Sequence, residues 1–146
     1  MPRLAHPKAK GDAYEREIAD YFNTHLDPRV RLGEFRRAIM SGGGFTHSGF
    51  DLTNTEVTPS GPRAGFTPQR VYLGIEAKRT ERANLWESYA QALRHKAHAF
   101  RFNANHPPIV PMVIMRRNRM STGASLVTMS LDDLIALING YVPGGA

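Results

Sequence analysis

A chain of 146 residues is about one domain long and can bury a core unaided, and it holds no cysteine, which excludes disulfides and thiolate metal sites. Nineteen Lys and Arg against thirteen Asp and Glu leave a formal charge of +6, and fifteen of those cations are Arg, so a polyanionic partner such as nucleic acid is expected. No apolar run approaches the ~20 residues of a bilayer crossing, and the N-terminus lacks a signal-peptide core; an intracellular, cytoplasmic protein without membrane association is expected.

In chain order, the basic, proline-containing residues 1–11 read as a flexible arm, and 12–146 as a single domain. Asp12 to Leu26 has helical periodicity, with Tyr14, Ile18, Tyr21, Phe22 and Leu26 on one side, and Pro28 closes it. Glu34 to Met40 alternates like a strand and ends at Ser41-Gly42-Gly43-Gly44. Phe50 to Val57 and Val71 to Lys78 read as two more strands, joined by a long loop over 58–70 that holds three prolines and two glycines. Asn84 to Phe102 is expected to be helical, with Trp86, Ala90, Leu93, Ala97 and Phe100 as its apolar stripe. Ile109 to Met115 reads as a buried strand, Arg116 to Gly123 as a solvated basic turn, and Ala124 to Met129 as a last strand. Ser130, with Asp133 three residues on, would cap a final helix to Asn139. The order α-β-β-β-α-β-β-α predicts an α/β sandwich with a mixed sheet: the first three strands antiparallel, and the long helix a crossover to the Ile109–Met115 strand.

The chemistry gathers on the hairpin made by the second and third strands. A turn centred near residues 63–64 sets Asp51 opposite Glu76, and opposed residues share a face with Cβ atoms roughly 4.5–5.5 Å apart. Period two puts Lys78 beside Glu76 and turns Ala77 away. One face of the hairpin thus collects two carboxylates and an ammonium, and Glu76 and Lys78 interrupt a strand otherwise made of Val71, Leu73 and Ile75, where charges are costly unless paired or bound to a metal. Such a cluster suits Mg²⁺, which takes one or two carboxylates plus substrate phosphate. The plain alternative is a cross-strand salt bridge from Asp51 or Glu76 to Lys78.

Asp51 followed by Glu76-Ala77-Lys78 resembles the signature of the PD-(D/E)XK nuclease superfamily. Lys10-Gly11 followed by Glu15-Arg16, and Arg37 followed by Ser41-Gly42, are similar to the opening of archaeal-type Holliday junction resolvases. Gln91 stands where that family keeps a glutamine. The resemblance covers about residues 8–115. It implies a restriction-endonuclease-like α-β-β-β-α-β core with a mixed central sheet flanked by helices. It further implies Glu15, Asp51, Glu76 and Lys78 as catalytic residues, the three acids holding Mg²⁺ with Mn²⁺ able to substitute. Lys10, Arg37, Ser41, Gln91 and Arg63 would be DNA-binding, with Arg37 and Ser41 meeting either phosphate or the carboxylates. The activity implied is a homodimeric endonuclease making paired cuts in branched, four-way DNA. Phe50 departs from the family's usual proline, and the stretch from Asp51 to Glu76 is longer than in the compact archaeal enzymes.

Other readings stand beside this one. The same chemistry could serve a restriction-like or repair nuclease, and a basic DNA-binding module without catalysis would need only the salt bridge. Glu15 could merely close a capping box begun by Asp12. Gln91 could be a solvated helix position. His95 and His98, beside Arg94 and Arg101, are expected to face phosphate or solvent rather than bind zinc, and His47 to lie in a loop. Trp86 and Tyr89 are expected in the core or in a dimer contact.

Overall fold

A computed structural model describes residues 7–30, 32–37, 50–54, 57–58, 61–62, 71–102, 104 and 108–140. Helix α1 (Pro7–His25) begins earlier than its apolar periodicity predicts, so the segment expected to be a flexible arm is helical from Pro7 onward. Proline suits that position, because the first N–H of a helix has no partner within it and the ring already holds a helical φ. A five-stranded mixed sheet follows the order β1 (Arg36–Arg37), β2 (Leu52–Thr53), β5 (Tyr72–Arg79), β6 (Ile109–Arg116), β7 (Leu126–Thr128). Strands β3 (Val57–Thr58) and β4 (Gly61–Pro62) form a separate small hairpin, which begins at the last residue of the expected second strand and runs into the stretch expected to be loop. Helices α2 (Leu85–Phe102) and α3 (Leu131–Gly140) complete the three that flank the sheet, and no helix among the described residues is long and apolar enough to cross a membrane.

The pairing matches the sequence expectation: β1–β2 and β2–β5 are antiparallel, and α2 carries the chain to β6, which runs parallel to β5. The expected strand from Phe50 to Val57 is cut short after Thr53, and Asn54 is the reason. Its buried carboxamide donates to the Leu32 carbonyl at 2.8 Å and the Val71 carbonyl at 3.1 Å, and accepts from the Leu73 amide at 2.8 Å. A side chain thus takes over bonds that a longer backbone ladder would make, and three segments are tied at one point. Asn23 does the same between α1 and the approach to β1, exchanging two bonds with the Phe35 backbone at 2.7 and 2.9 Å. Phe22 stacks on Phe35 beside it, with ring centroids 4.2 Å apart.

Alternation along β5 and β6 divides the interior into two layers. Leu73, Ile75, Val110, Met112 and Ile114 face α1, where Tyr14, Ile18, Leu32, Phe35 and Leu52 join them. Tyr72, Ile109, Val113 and Met115 face α2 and pack with Phe50, Ala92 and Ala99. Strand β6 is buried on both faces along nearly its whole length, as a parallel neighbour in a covered sheet should be. Its Pro111 lacks a ladder donor, yet β7 pairs only with Val113 to Met115, so the proline sits beyond the reach of that partner.

Helix α2 corrects the predicted stripe. Trp86 is 86% exposed and Leu93 44%, and Ala97 is exposed as well; the face on the sheet is built from Ser88, Ala92 and Ala99, with Tyr89 and Phe100 at its margin. The floor beneath holds bulky Phe50, Tyr72 and Met115, so small residues are what let the helix approach. Asn84 caps it, its Oδ1 accepting the Glu87 amide at 3.1 Å, and Ser130 caps α3 by accepting the Asp133 amide at 3.1 Å, as expected. Arg116 is not part of a solvated turn: it ends β6, donates to Glu17 at 2.6 Å and to the Met120 carbonyl at 2.9 Å, and lies 4.9 Å from the centroid of the Tyr14 ring. It is a structural cation that fastens α1 to the far end of the sheet.

Replacing Asn54 with Ala leaves buried carbonyls and the Leu73 amide without partners. The expected cost is roughly 3 kcal/mol, read as a lower urea midpoint at unchanged slope; a midpoint within error of the parent would show that water replaces the carboxamide.

Candidate active site

The antiparallel register of β2 on β5 pairs Leu52 with Ile75 and Thr53 with Gly74. Continued one step, it brings Asp51 to Glu76, as the predicted turn centre requires. The chain bends at Asp51, whose amide donates to the Ile75 carbonyl at 3.0 Å while its Oδ2 accepts the Ala77 amide at 2.8 Å. Asp51 is therefore fastened to β5 by both backbone and side chain. Glu76 and Lys78 lie on the face of β5 that α2 covers, and Ala77 points to the opposite layer.

Two turns of α2 meet these charges. Gln91 Oε1 accepts from Lys78 Nζ at 2.9 Å, and His95, one helical turn on, hydrogen-bonds through Nδ1 to Glu76 Oε1. Lys78 closes no ion pair with Asp51 or Glu76, so the simple cross-strand salt bridge does not describe the cluster. From the other face, α1 contributes Glu15, which is near enough to Asp51 to act on its charge. Glu15 accepts from Arg37 Nε at 2.8 Å, and the same guanidinium reaches Asp12 at 3.0 Å. Because α1 starts at Pro7, Glu15 is deep in the helix and is not closing a first-turn capping box. Arg37 meets carboxylates, one of the two environments expected for it.

The electrostatics are uneven. Glu76 is 1% exposed, and Asp51 is largely buried beside it. Burial, then the neighbouring charge of Glu76 and more weakly that of Glu15, push the Asp51 carboxyl up to about 7; the Ala77 amide and Lys78 pull the other way without offsetting it. Desolvation thus costs the Asp51 carboxylate more than its donors among the described residues return. Among the described residues no three His, Cys, Asp or Glu side chains converge as a ready-made cage. Two hard carboxylates facing each other can nevertheless share one cation whose remaining ligands come from elsewhere.

Of the residues expected at the site, Glu15, Arg37, Asp51, Glu76, Lys78 and Gln91 are assembled around the C-terminal half of β5. Lys10 belongs to α1, but its side chain, like Ser41, His47 and Arg63, lies outside the described residues. His95 departs from the sequence expectation: rather than standing free in solvent, it hydrogen-bonds Glu76. Its spacing held the signal, because Gln91 and His95 are four apart and so share one helix face. His98, on another face, is exposed. Comparison of the chain with protein-family models, with curated proteins and with solved structures finds no match.

The Asp51 shift has a consequence for stability. In the unfolded chain the carboxyl ionises near 3.8, and in the folded one at about 7. Between those values the folded state keeps a proton that the unfolded state has lost, so stability falls as pH rises through the window and levels off above it. In EDTA, the melting temperature should drop between pH 4.5 and 7.5, and Asp51→Asn should flatten that slope and melt higher than the parent at pH 8. Parallel profiles for the two proteins would remove Asp51 as the cause.

Proposed function

We propose that the chain is a metal-dependent endonuclease of the PD-(D/E)XK type, with the restriction-endonuclease-like core that its signature implies, acting on branched DNA in the manner of a Holliday junction resolvase. The observation that carries the reading is the buried Asp51–Glu76 carboxylate pair flanked by the Lys78 ammonium. Burial, and after it the like charge of Glu76, lifts Asp51 to about 7, and a divalent cation between the two carboxylates would offset both. The donor set fits Mg²⁺, with Mn²⁺ as a substitute: Asp51 and Glu76 would hold the ion, Glu15 would stand behind it, and substrate phosphate and solvent would fill its remaining positions. Such an ion supplies Lewis acidity to a phosphate oxygen and makes water a better nucleophile.

The chain's own residues do the rest. Lys78, steadied by Gln91, presents a compact positive charge to the negative charge that develops on the phosphate during attack. Asp51, anchored by the Ala77 amide, keeps its carboxylate at the strand edge, and Arg37 holds Glu15 toward the same place. The Arg-rich composition supports contact with DNA phosphates, which a shape-selective enzyme uses for positioning.

A four-way junction is opened by paired nicks, which a two-fold dimer delivers from two equivalent sites. Helix α3 has a surface suited to a second copy. Leu131, Leu134, Ile135 and Ile138 form one exposed apolar stripe, and Leu126 and Val127 of the edge strand β7 are exposed next to it in sequence. In sedimentation or light scattering the parent should run at twice its 16.3 kDa chain mass, and the double variant Ile135→Glu, Ile138→Glu as a monomer. A monomeric parent would remove the dimer.

The activity itself is tested on labelled four-way junctions, flaps, nicked duplex and linear duplex. With Mg²⁺ the parent should cut junctions in symmetric pairs, and Asp51→Asn, Glu76→Gln and Lys78→Ala should each lose at least about 100-fold, the scale of removing one electrostatic contributor. Equal cutting of linear duplex would favour a restriction-like or repair nuclease. Intact DNA in every lane, at protein concentrations that bind it, would leave a non-catalytic binding module.

A further inference from the structure

We propose that His95 is a positioning residue for Glu76, and that it sets how tightly the carboxylate pair holds a divalent cation. The inference rests on the metal-binding reading above and assigns a part to a residue outside the Asp51, Glu76, Lys78 signature. Glu76 is 1% exposed, on a sheet face whose apolar members include Phe50, Tyr72, Val113 and Met115. A carboxylate in such a place needs a donor. His95 Nδ1 bonds Glu76 Oε1, so the proton of that bond sits on Nδ1 and the imidazole donates. With Oε1 engaged, and no donor to Oε2 among the described residues, Oε2 is the oxygen that would meet a cation.

The imidazole is itself built into place. The Phe50 ring meets it edge-on, centroids 5.6 Å apart at 81°. Phe50 in turn lies against Gly74, where a Cβ would come within 2.4 Å of the ring. Ala92 and Ala99, three residues before His95 and four after, are buried against the sheet and fix the height of the helix above it. The chain Gly74, Phe50, His95, Glu76 therefore transmits a packing constraint to the orientation of one carboxylate. Partners of this kind, which hold a metal-binding carboxylate in a fixed pose, change metal affinity by about 10–100-fold when lost.

The test uses the full chain and Mn²⁺, with binding followed through the EPR signal of the free ion and folding followed by melting temperature. In His95→Asn the amide nitrogen lies where Nδ1 was; in His95→Gln it lies where Nε2 was; His95→Leu fills the space with no donor. His95→Leu and His95→Gln should weaken Mn²⁺ binding 10-fold or more, and His95→Asn should stay within about threefold of the parent. Melting temperatures in EDTA should not follow that order. If His95→Leu does not fold, the comparison of Asn with Gln carries the same information. Parent-like affinity in Leu and Gln, or equal losses in Asn and Gln, would overturn the positioning role. A parent that binds no Mn²⁺ at millimolar concentration would overturn the metal reading, and this inference with it.

Discussion

A carboxylate with almost no surface exposed, placed on a strand at the middle of a sheet, constrains everything packed around it. Removing Glu76 from water costs several kcal/mol unless a donor replaces the lost hydration. The fold supplies that donor from α2, and doing so dictates the helix that covers the strand. Its sheet-facing residues must be small enough to bring an imidazole down to the carboxylate, which is why Ser88, Ala92 and Ala99 form the contact while Trp86 and Leu93 face outward. The same register sets Gln91 against Lys78. The polar content of the α2 layer and the smallness of its helix face are two results of one desolvation problem.

The second carboxylate is handled differently. Asp51 receives one backbone amide and no donating side chain among the described residues, and its neighbours Glu76 and Glu15 share its sign. Arg37, on the α1 side of the site, is committed to Glu15 and Asp12. Among the described residues, Asp51 is thus compensated only in part, by the Ala77 amide and the charge of Lys78, while Glu76 and Glu15 are bonded by side chains.

Much of this was legible in the sequence, and the reasons for the rest are physical. Register was readable because strand period and turn position together fix which residues oppose one another, so Asp51, Glu76 and Lys78 could be set on one hairpin from spacing alone. The β-α-β crossover was readable from the dense run of Ile109 to Met115, which only a doubly covered strand tolerates. The start of α1 was not, since Pro7 to Gly11 carries no apolar periodicity, and proline and glycine count against a helix in any local reading. The apolar stripe of α2 misled because hydrophobicity marks residues that gain from burial, whereas this interface selects for size. His95 was missed for the same reason: the polar side of α2 was taken to be its outer side. Asn54 gave no local signal because its three partners lie on segments distant in sequence.

The contact between Gly74 and Phe50 has a bearing on how this chain can diverge. A side chain at position 74 and an aromatic ring at position 50 claim the same volume, so neither can change freely while the other stays. A proline at position 50 would leave no ring to exclude a larger residue at 74, nor one to brace the imidazole at 95. Positions 50, 74 and 95 should therefore covary as one steric unit, and a lineage that trades Phe50 for proline must find another way to steady its buried glutamate.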